Sequence, residues 1–282
     1  MNIVVFEDAG VRNLNPVTLS RPAYAITCAS YRLIDRLLEF QTNTFGLVRP
    51  FLERIQLNDF RILSLELDAT HTRTMFVNAR TAPTVANLAE LNQLYQGKWT
   101  ADRTASTLVR SGWAVAAAIV PTERLAGVEP TGWLKLIESL SAEPHVEIVD
   151  DKIRLFDYPH DIISQNLESF EASLAYRIAV DRRGEPRYTE VQPDVFLGKG
   201  VHVSQNVVFD SSTGPIVIEE DVRIGPLCYF RGPVHIGPRT KISEHASIKD
   251  GVSVSHTCKI GGEVEGTILE AYTNKQHHGF LG

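Results

Sequence analysis

The fold of the C-terminal part is decided by residues 216–263, which read IVIEED VRIGPL CYFRGP VHIGPR TKISEH ASIKDG VSVSHT CKIGGE. In every block of six, the third residue is apolar, and the first is small, β-branched or apolar. A six-residue period held this long predicts a parallel β-helix, in which each block is one short strand and a turn. Three blocks complete a triangular coil, and stacking of the coils buries the inward side chains.

The repeat also runs upstream of this stretch. Its large inward positions continue to Phe209, but nine residues instead of six separate Phe209 from Ile218. The three extra residues predict a small loop within Asp210–Pro215 at one corner of the coil. An ordinary β-sandwich is the alternative, but its strands alternate with period two and give no reason for a six-residue register.

The downstream end of the repeat is less regular. We expect the coil to lose its register from Glu263 onward. Leu281-Gly282 looks like the beginning of another block, and an exposed end of a β-helix needs a cap. The pattern therefore predicts that the β-helix is truncated at its C-terminal end.

The N-terminal part alternates apolar runs with stretches of helical spacing. This alternation predicts a parallel, doubly wound sheet. The expected strands are Asn2–Phe6, Arg61–Leu65, Thr74–Asn78 and Leu108–Val120, and the expected helices are Ala29–Phe40, Val85–Leu94, Trp133–Leu140 and Asp161–Val180. The resulting division is an α/β domain over residues 1–183, a linker over 184–193 and a β-helix over 194–282.

Composition bounds the class of protein. A chain of 282 residues with a net charge of −6 fits a globular protein of two domains, and its acidic balance argues against a general nucleic-acid surface. No apolar run approaches the ~20 residues of a membrane span, and the N-terminus lacks the pattern of a signal peptide. Three cysteines favour a reducing compartment. We therefore expect a cytoplasmic protein without nucleic-acid or membrane partners.

Ligands of open α/β sheets bind at the carboxyl ends of the strands. This rule places Glu7–Arg21 and Asn78–Thr84 at the mouth of the expected pocket. Arg12, Arg21 and Arg80 are the cations available there, and a planar guanidinium suits a pair of phosphate oxygens. Any one arginine taken alone is better explained as a solvated loop charge, but three at this edge make a phosphate site an equal alternative.

Four segments carry a family resemblance. They are Arg12–Pro22 (RNLNPVTLSRP), Val77–Arg80 (VNAR), Tyr158–Asp161 (YPHD) and Asn274–Gly282 (NKQHHGFLG). The chain resembles sugar nucleotidyltransferases that join an α/β nucleotidyltransferase-like (Rossmann-like) domain to a left-handed parallel β-helix of hexapeptide repeats. The architecture is similar to that of the bifunctional N-acetylglucosamine-1-phosphate uridylyltransferase/glucosamine-1-phosphate acetyltransferase. Some relatives are named glucose-1-phosphate thymidylyltransferases.

The resemblance implies a reaction in which a sugar-1-phosphate oxygen attacks the α-phosphate of a nucleoside triphosphate and pyrophosphate leaves. It implies catalytic roles for Arg12 and Arg21 and substrate or phosphate contacts for a further set of residues. That set is Glu7, Asp8, Thr18, Asn78 and Arg80.

The resemblance also implies Mg²⁺, but this chain departs from the family pattern at the expected metal position. Arg80 stands where the metal-binding Asp lies, and a guanidinium cannot ligate a metal. Either Asp8 or Asp161 holds Mg²⁺, or the arginines replace it, or catalysis is lost. Asp161 also precedes a helical stretch, where a role in capping the helix is the commoner one.

A second activity is implied for the β-helix. In related acetyltransferases a His before an aromatic-Leu-Gly segment is the general base, and His277 is its counterpart here, with His278 as the neighbouring alternative. Acetyl-CoA is the implied cofactor of the complete domain. Four other histidines fall between the inward positions of the β-helix and are expected at its surface: His202, His235, His245 and His256. A role as metal ligands is not expected, because no Cys/His spacing fits zinc.

The expected function is nucleotidyl transfer to a sugar-1-phosphate, with an associated acyltransferase-type domain. The alternative is a catalytically degenerate sugar-nucleotide-binding protein. The resemblance implies, in either case, that the β-helix associates into a homotrimer.

Overall fold

The computed structural model describes residues 1–60, 62, 67–68, 70–99, 105–181 and 186–279. The chain divides into two compact units. The N-terminal unit contains Met1–Ile26 and Arg32–Ile162, and the C-terminal unit contains Thr27–Tyr31 and Ile163–Gly282. The division falls well before residue 183, where the sequence places the domain boundary.

The described residues of the N-terminal unit form a six-stranded sheet. Its strands are β1 (Asn2–Phe6), β2 (Thr44–Leu47), β3 (Arg73–Asn78), β4 (Thr107–Ser111), β5 (Ala114–Pro121) and β6 (Glu147–Asp150). They lie in the order β2-β1-β3-β5-β4-β6. β1 is buried along its whole length, which explains its unbroken apolar run.

The sheet is mixed, so the prediction of a parallel sheet is wrong in one respect. β5 runs antiparallel to both β3 and β4, while the β1–β2, β1–β3 and β4–β6 pairs are parallel. The cause is a hairpin inside Leu108–Val120, which the sequence presented as one strand. Gly112 has a φ of 55° and makes the turn between β4 and β5.

In the described part of the chain, four α-helices belong wholly to the N-terminal unit, and a fifth spans the division. They are α1 (Leu33–Leu38), α2 (Glu53–Asp59), α3 (Val85–Tyr95), α4 (Pro130–Ser139) and α5 (Pro159–Asp181). The predicted helix over Ala29–Phe40 is shorter because Ala29 and Ser30 have positive φ values of 49° and 70°. Among the described helices, none combines the length and apolar character that a membrane crossing requires.

Two other predictions fall partly outside the described residues. Of the predicted strand Arg61–Leu65, only Ile62 lies within the described residues. The predicted linker is not an irregular segment throughout, because Tyr188–Gln192 forms a strand that pairs antiparallel with Val195–Gly198. Residues 182–185 and 280–282, including the Leu281-Gly282 pair, lie outside the described residues.

The C-terminal unit is a parallel β-helix with three faces, as the hexapeptide period predicts. Its strands are β7 (Tyr188–Gln192), β8 (Val195–Gly198), β9 (His202–Val203), β10 (Val208–Asp210), β11 (Ile216–Ile218), β12 (Arg223–Ile224), β13 (Tyr229–Arg231), β14 (Val234–Ile236), β15 (Lys241–Ile242), β16 (Ser247–Lys249), β17 (Val252–Val254), β18 (Lys259–Ile260), β19 (Glu263–Glu265), β20 (Ile268–Leu269) and β21 (Asn274–Lys275). The faces are β20-β17-β14-β11-β8-β7, β21-β18-β15-β12-β9 and β10-β13-β16-β19.

Strand register confirms the inward positions. Ile218 pairs with Ile236, and Ile236 pairs with Val254, so equivalent residues recur after three blocks. All three side chains are fully buried in the interior of the coil. The left-handed sense of the coil remains an expectation from the resemblance.

The two irregularities of the repeat have different outcomes. Phe209 pairs with Phe230, which confirms that the extra residues of Asp210–Pro215 lie in a loop. Beyond Glu263 the spacing shortens but the coil continues, since Val264 pairs with Ile248. Within the described residues, the last inward position is taken by Lys275, whose buried ammonium donates to the carbonyl of Gly261 at 2.8 Å.

One histidine departs from the surface prediction. His235 points away from the interior of the coil, yet only 5% of it is exposed. Its Nε2 lies 3.2 Å from Oε1 of Glu219, which also accepts from Arg177 of α5 at 2.6 Å and from the Tyr188 hydroxyl at 2.7 Å. Burial acts to raise the pKa of Glu219, but the hydrogen bond from His235 and the charge of Arg177 outweigh it and lower the pKa to about 2.

The buried Glu219 predicts an acid-sensitive contribution to stability. Because its folded pKa is depressed, this contribution is present above the unfolded value of about 4.3 and is lost as pH falls towards 2. Glu219→Gln should therefore lower the free energy of unfolding at neutral pH by roughly 2–3 kcal/mol, with the difference from wild type shrinking between pH ~4 and ~2. Urea titrations across this range measure it. Glu220→Gln is the control and should show a much smaller effect.

Candidate functional site

A cleft of about 750 Å³ lies in the N-terminal unit where β1, β3 and β4 end. Its apolar wall is formed by Phe6, Leu108, Val115, Leu134 and Ile137, and its polar groups come from Asp8, Asn13, Arg80, Arg110, Glu138 and Asp157. This is the carboxyl edge of the parallel strands, where open α/β sheets bind ligands. The prediction that both segments after β1 and β3 border a pocket is consistent with this geometry.

Arg80 is the centre of the polar end. Its Nε and Nη2 donate to the two oxygens of Asp8, each at 2.8 Å, in a bidentate pair. Its Nη1 donates at 2.7 Å both to Asp157 and to the carbonyl of Phe156. The guanidinium therefore joins the end of β1, the end of β3 and the segment that precedes α5.

The Arg80–Asp8 ion pair is largely shielded from solvent. The side chain of Arg80 is 3% exposed and that of Asp8 is 17% exposed. Burial alone would raise the pKa of Asp8, but hydrogen bonds from Arg80 and Asn78 outweigh it and hold the pKa below its ordinary value. Burial acts to lower the pKa of Arg80, and its carboxylate partners raise it above the ordinary range. Both groups are therefore charged at neutral pH.

Two neighbours fit the cluster around Arg80. Asn78 donates from Nδ2 to Asp8 at 2.9 Å, and its Oδ1 accepts from the backbone N–H of Arg80 at 3.0 Å. Gly10 leaves the space that the guanidinium fills, since a Cβ there would lie 2.6 Å from Cζ of Arg80. The asparagine orients the carboxylate, and the glycine makes room for its partner.

Glu7 and Thr18 are occupied within the protein. The Glu7 carboxylate accepts from the backbone N–H of Ala23 at 2.9 Å and from Nε of Arg49 at 2.9 Å. The fully buried Thr18 donates its hydroxyl to the carbonyl of Val11 at 3.3 Å. In this arrangement both side chains hold the loop that follows β1.

The other two predicted arginines lie outside the cleft lining. Arg12 is exposed, and Arg21 is partly exposed. The carbonyl of Arg21 accepts from Nη2 of Arg49 at 3.1 Å, so Arg49 joins this loop to the region after β2. Of the three predicted cations, the described structure thus places only Arg80 among the cleft residues.

Asp161 serves the start of α5. It is the third residue of that helix, and its Oδ2 accepts from the backbone N–H of Asp157 at 2.9 Å and of Tyr158 at 2.8 Å. These are N-terminal N–H groups, so the contact is a form of helix capping. His277 lies in the C-terminal unit, where its side chain is exposed and its carbonyl accepts from Nζ of Lys275 at 3.0 Å.

The polar residues of the cleft do not fit Mg²⁺. A magnesium site needs free carboxylate oxygens, and those of Asp8 are both held by Arg80, which also pairs with Asp157. The guanidinium fills the space where the two carboxylates converge, so a metal ion could not bind both of them without displacing it. Within the described ranges, no group of three or more His, Cys, Asp or Glu side chains is arranged to hold a metal ion. We therefore derive no chemical step through Mg²⁺.

Sequence reasoning missed three residues that shape this region. Asp157 and Arg49 approach from segments far along the chain, and nothing in their local sequence signals a partner. Trp113 is the third; it lies at the tip of the β4–β5 hairpin, lines the cleft and is fully exposed. The Ser-Gly-Trp sequence within an apolar run was the available signal, since Gly after Ser marks a turn.

Comparison with known proteins places both parts of the chain. Residues 3–178 match the family described as sugar nucleotidyl transferase, and residues 215–250 match the bacterial transferase hexapeptide family of six repeats. The chain is also similar to the bifunctional protein GlmU of Clostridium acetobutylicum, with 26% identity over 211 residues. That match covers 66% of this chain and 44% of the relative, so the chain spans less than half the length of the curated protein that it matches.

The packing of Gly10 against Arg80 gives a testable prediction. Gly10→Ala should lower the free energy of unfolding by ~1–3 kcal/mol, because the added methyl group cannot fit beside a guanidinium held on both sides. Urea denaturation measures the change. Gly279→Ala is the control, because a Cβ there meets no atom of the described residues within 4 Å. Equal stability of the two variants would contradict the packing argument.

Proposed function

Because this chain belongs to the sugar nucleotidyl transferase family, we propose that its N-terminal unit binds a sugar nucleotide, or the sugar-1-phosphate and nucleoside triphosphate that form one. The cleft at the carboxyl ends of β1, β3 and β4 is the observation that supports this proposal. It combines an apolar wall with a polar end, which suits a ligand that has both ring faces and hydroxyl groups.

Nucleotidyl transfer is the first candidate activity. In this reaction the sugar-1-phosphate oxygen attacks the α-phosphate, and pyrophosphate leaves. Membership of the family supports it, and Arg12 and Arg21 remain the proposed phosphate contacts. The Arg12 side chain has no bonding partner among the described residues and is exposed, so it is available to a ligand.

Binding without turnover is the second candidate, and the Arg80 cluster favours it. One guanidinium faces two carboxylates, so the three groups together carry one negative charge. Such a cluster does not attract a triphosphate. The side chain of Asp157, in contrast, is 66% exposed and can accept a hydrogen bond from a sugar hydroxyl. Of the two candidates, we favour a sugar-nucleotide binder in which transfer is slow or absent.

Further proposals concern the C-terminal unit and the setting. The bacterial transferase hexapeptide match supports an acyltransferase-type domain, for which acetyl-CoA is the proposed cofactor and the exposed His277 the proposed general base. We also propose that the β-helix associates into a homotrimer, as the resemblance implies. The described cysteines, Cys28, Cys228 and Cys258, are buried and form no disulfide, which supports a reducing, cytoplasmic setting.

A ligand panel tests the proposed function. Thermal unfolding is followed with UTP, dTTP, GTP, CTP, sugar-1-phosphates, UDP-N-acetylglucosamine and acetyl-CoA, and pyrophosphate release is assayed in parallel. A ligand at 100 times its Kd stabilises by ~2.7 kcal/mol, which a melting curve resolves. Stabilisation by a sugar nucleotide without pyrophosphate release supports the binder, and turnover supports the transferase. No response to any nucleotide or sugar phosphate would contradict both.

The exposed Trp113 supplies a prediction about binding. An aromatic face at the edge of the cleft can cover an apolar ring face of the ligand, so Trp113→Ala should weaken sugar-nucleotide binding by ~1–2 kcal/mol, about 5- to 30-fold in Kd. Trp113→Phe should retain most of the affinity. Isothermal titration measures both variants. Stability should change little, because the side chain is fully exposed, and unchanged affinity of Trp113→Ala would rule out the contact.

A further inference from the structure

The two carboxylates at the polar end of the cleft already share a cation. Arg80 makes four hydrogen bonds from its guanidinium, three of them to carboxylate oxygens, at 2.7–2.8 Å. Asp8 and Asp157 come from segments 149 residues apart, and Arg80 lies between them. The guanidinium of Arg80 is bonded to both carboxylates. It therefore balances part of their charge and fixes their positions, as a bound metal ion would do.

The surroundings are built for the arginine. Gly10 leaves the volume that the guanidinium occupies, and Asn78 fixes both the Asp8 carboxylate and the Arg80 backbone. A surface arginine that merely filled a vacant metal position would need neither feature. Here the side chain is 3% exposed and satisfied on both edges.

We infer that Arg80 is the resident cation of this cleft, and that the site takes its ligand without a divalent metal. The part of the inference that concerns the ligand rests on the proposed function. The part that concerns the metal does not, because it follows from the occupancy of Asp8 and Asp157 by a fixed positive charge. The guanidinium acts as a positioning residue that sets the charge of the site.

The decisive variant is Arg80→Asp. It removes the fixed cation and adds a third carboxylate, on a shorter side chain, to the space that Asp8 and Asp157 line. Three carboxylates are a donor set that Mg²⁺ and Mn²⁺ prefer. In EDTA this variant should melt several degrees below wild type, and Mg²⁺ or Mn²⁺ should restore much of the loss. Wild type should not respond to either ion. Mn²⁺ binding, followed by electron paramagnetic resonance, should be at least tenfold tighter in the variant.

Two controls separate charge from position. Arg124→Asp makes the same change of charge at a partly exposed ion pair with Glu143, and it should not create Mn²⁺ binding. Arg80→Lys keeps a cation at the site and should remain indifferent to metals. If Arg80→Asp does not fold even with Mn²⁺, the Mn²⁺ measurement on wild type alone shows whether the cleft binds a divalent metal.

Metal binding to wild type and to Arg80→Asp can each contradict the inference. Mn²⁺ binding to unliganded wild type that is lost in Asp8→Asn would overturn the inference, as would a folded Arg80→Asp that gains no affinity for Mn²⁺. In wild type, the thermal shift by UDP-N-acetylglucosamine should be equal in EDTA and in Mg²⁺, and a shift that needs Mg²⁺ also overturns it. Absence of any shift by the sugar nucleotide counts against the proposed function alone, because the Mn²⁺ measurement uses no ligand.

Discussion

The carboxyl edge of the sheet in the N-terminal unit depends on the ion pairs of Arg80. They join residues that follow β1 and β3 to the segment that leads into α5. Glu7, immediately before Asp8, makes the complementary contact with Arg49 and the backbone of Ala23. Glu7 and Asp8 are adjacent but bind different partners. Together they hold the loop that follows β1 against the neighbouring segments.

The C-terminal unit relies on a different kind of interaction. Its coils are held by apolar side chains that repeat in strand register, and this explains why the hexapeptide pattern predicts the architecture so directly. The period itself specifies which side chains point inward. What the period does not specify is the outer surface. His235 occupies an outward position but is buried, because Glu219, Arg177 and Tyr188 gather beside it.

Local patterns predicted the elements better than their directions. The apolar run Leu108–Val120 contains two strands because Gly112 adopts a positive φ, and that turn reverses one strand of the sheet. The helix expected over Ala29–Phe40 begins later because of two positive φ values that apolar spacing cannot reveal. In both cases a backbone conformation at one or two residues, invisible to hydrophobic periodicity, decided the outcome.

The candidate site shows the same limit in its chemistry. The topology rule predicts Asp8, Asn78 and Arg80 at one edge of the sheet, and these three residues are in hydrogen-bond contact. It could not say that Arg80 pairs with two carboxylates, since the sequence gives the sign of a charge but not its partner. Asp157 and Arg49 decide that partnership from distant segments. Glu7 and Thr18, for which the resemblance implies ligand contacts, also form hydrogen bonds within the N-terminal unit.

A cation that belongs to the polypeptide differs from one drawn from solution in an important way. The occupancy of an exchangeable ion varies with its free concentration and with the competitors that chelate it. Arg80 is present at full occupancy in every folded molecule, and its carboxylate partners raise its pKa further above the physiological range. The electrostatic state of this edge is therefore set when the chain folds, and fluctuations in cellular magnesium leave it unchanged.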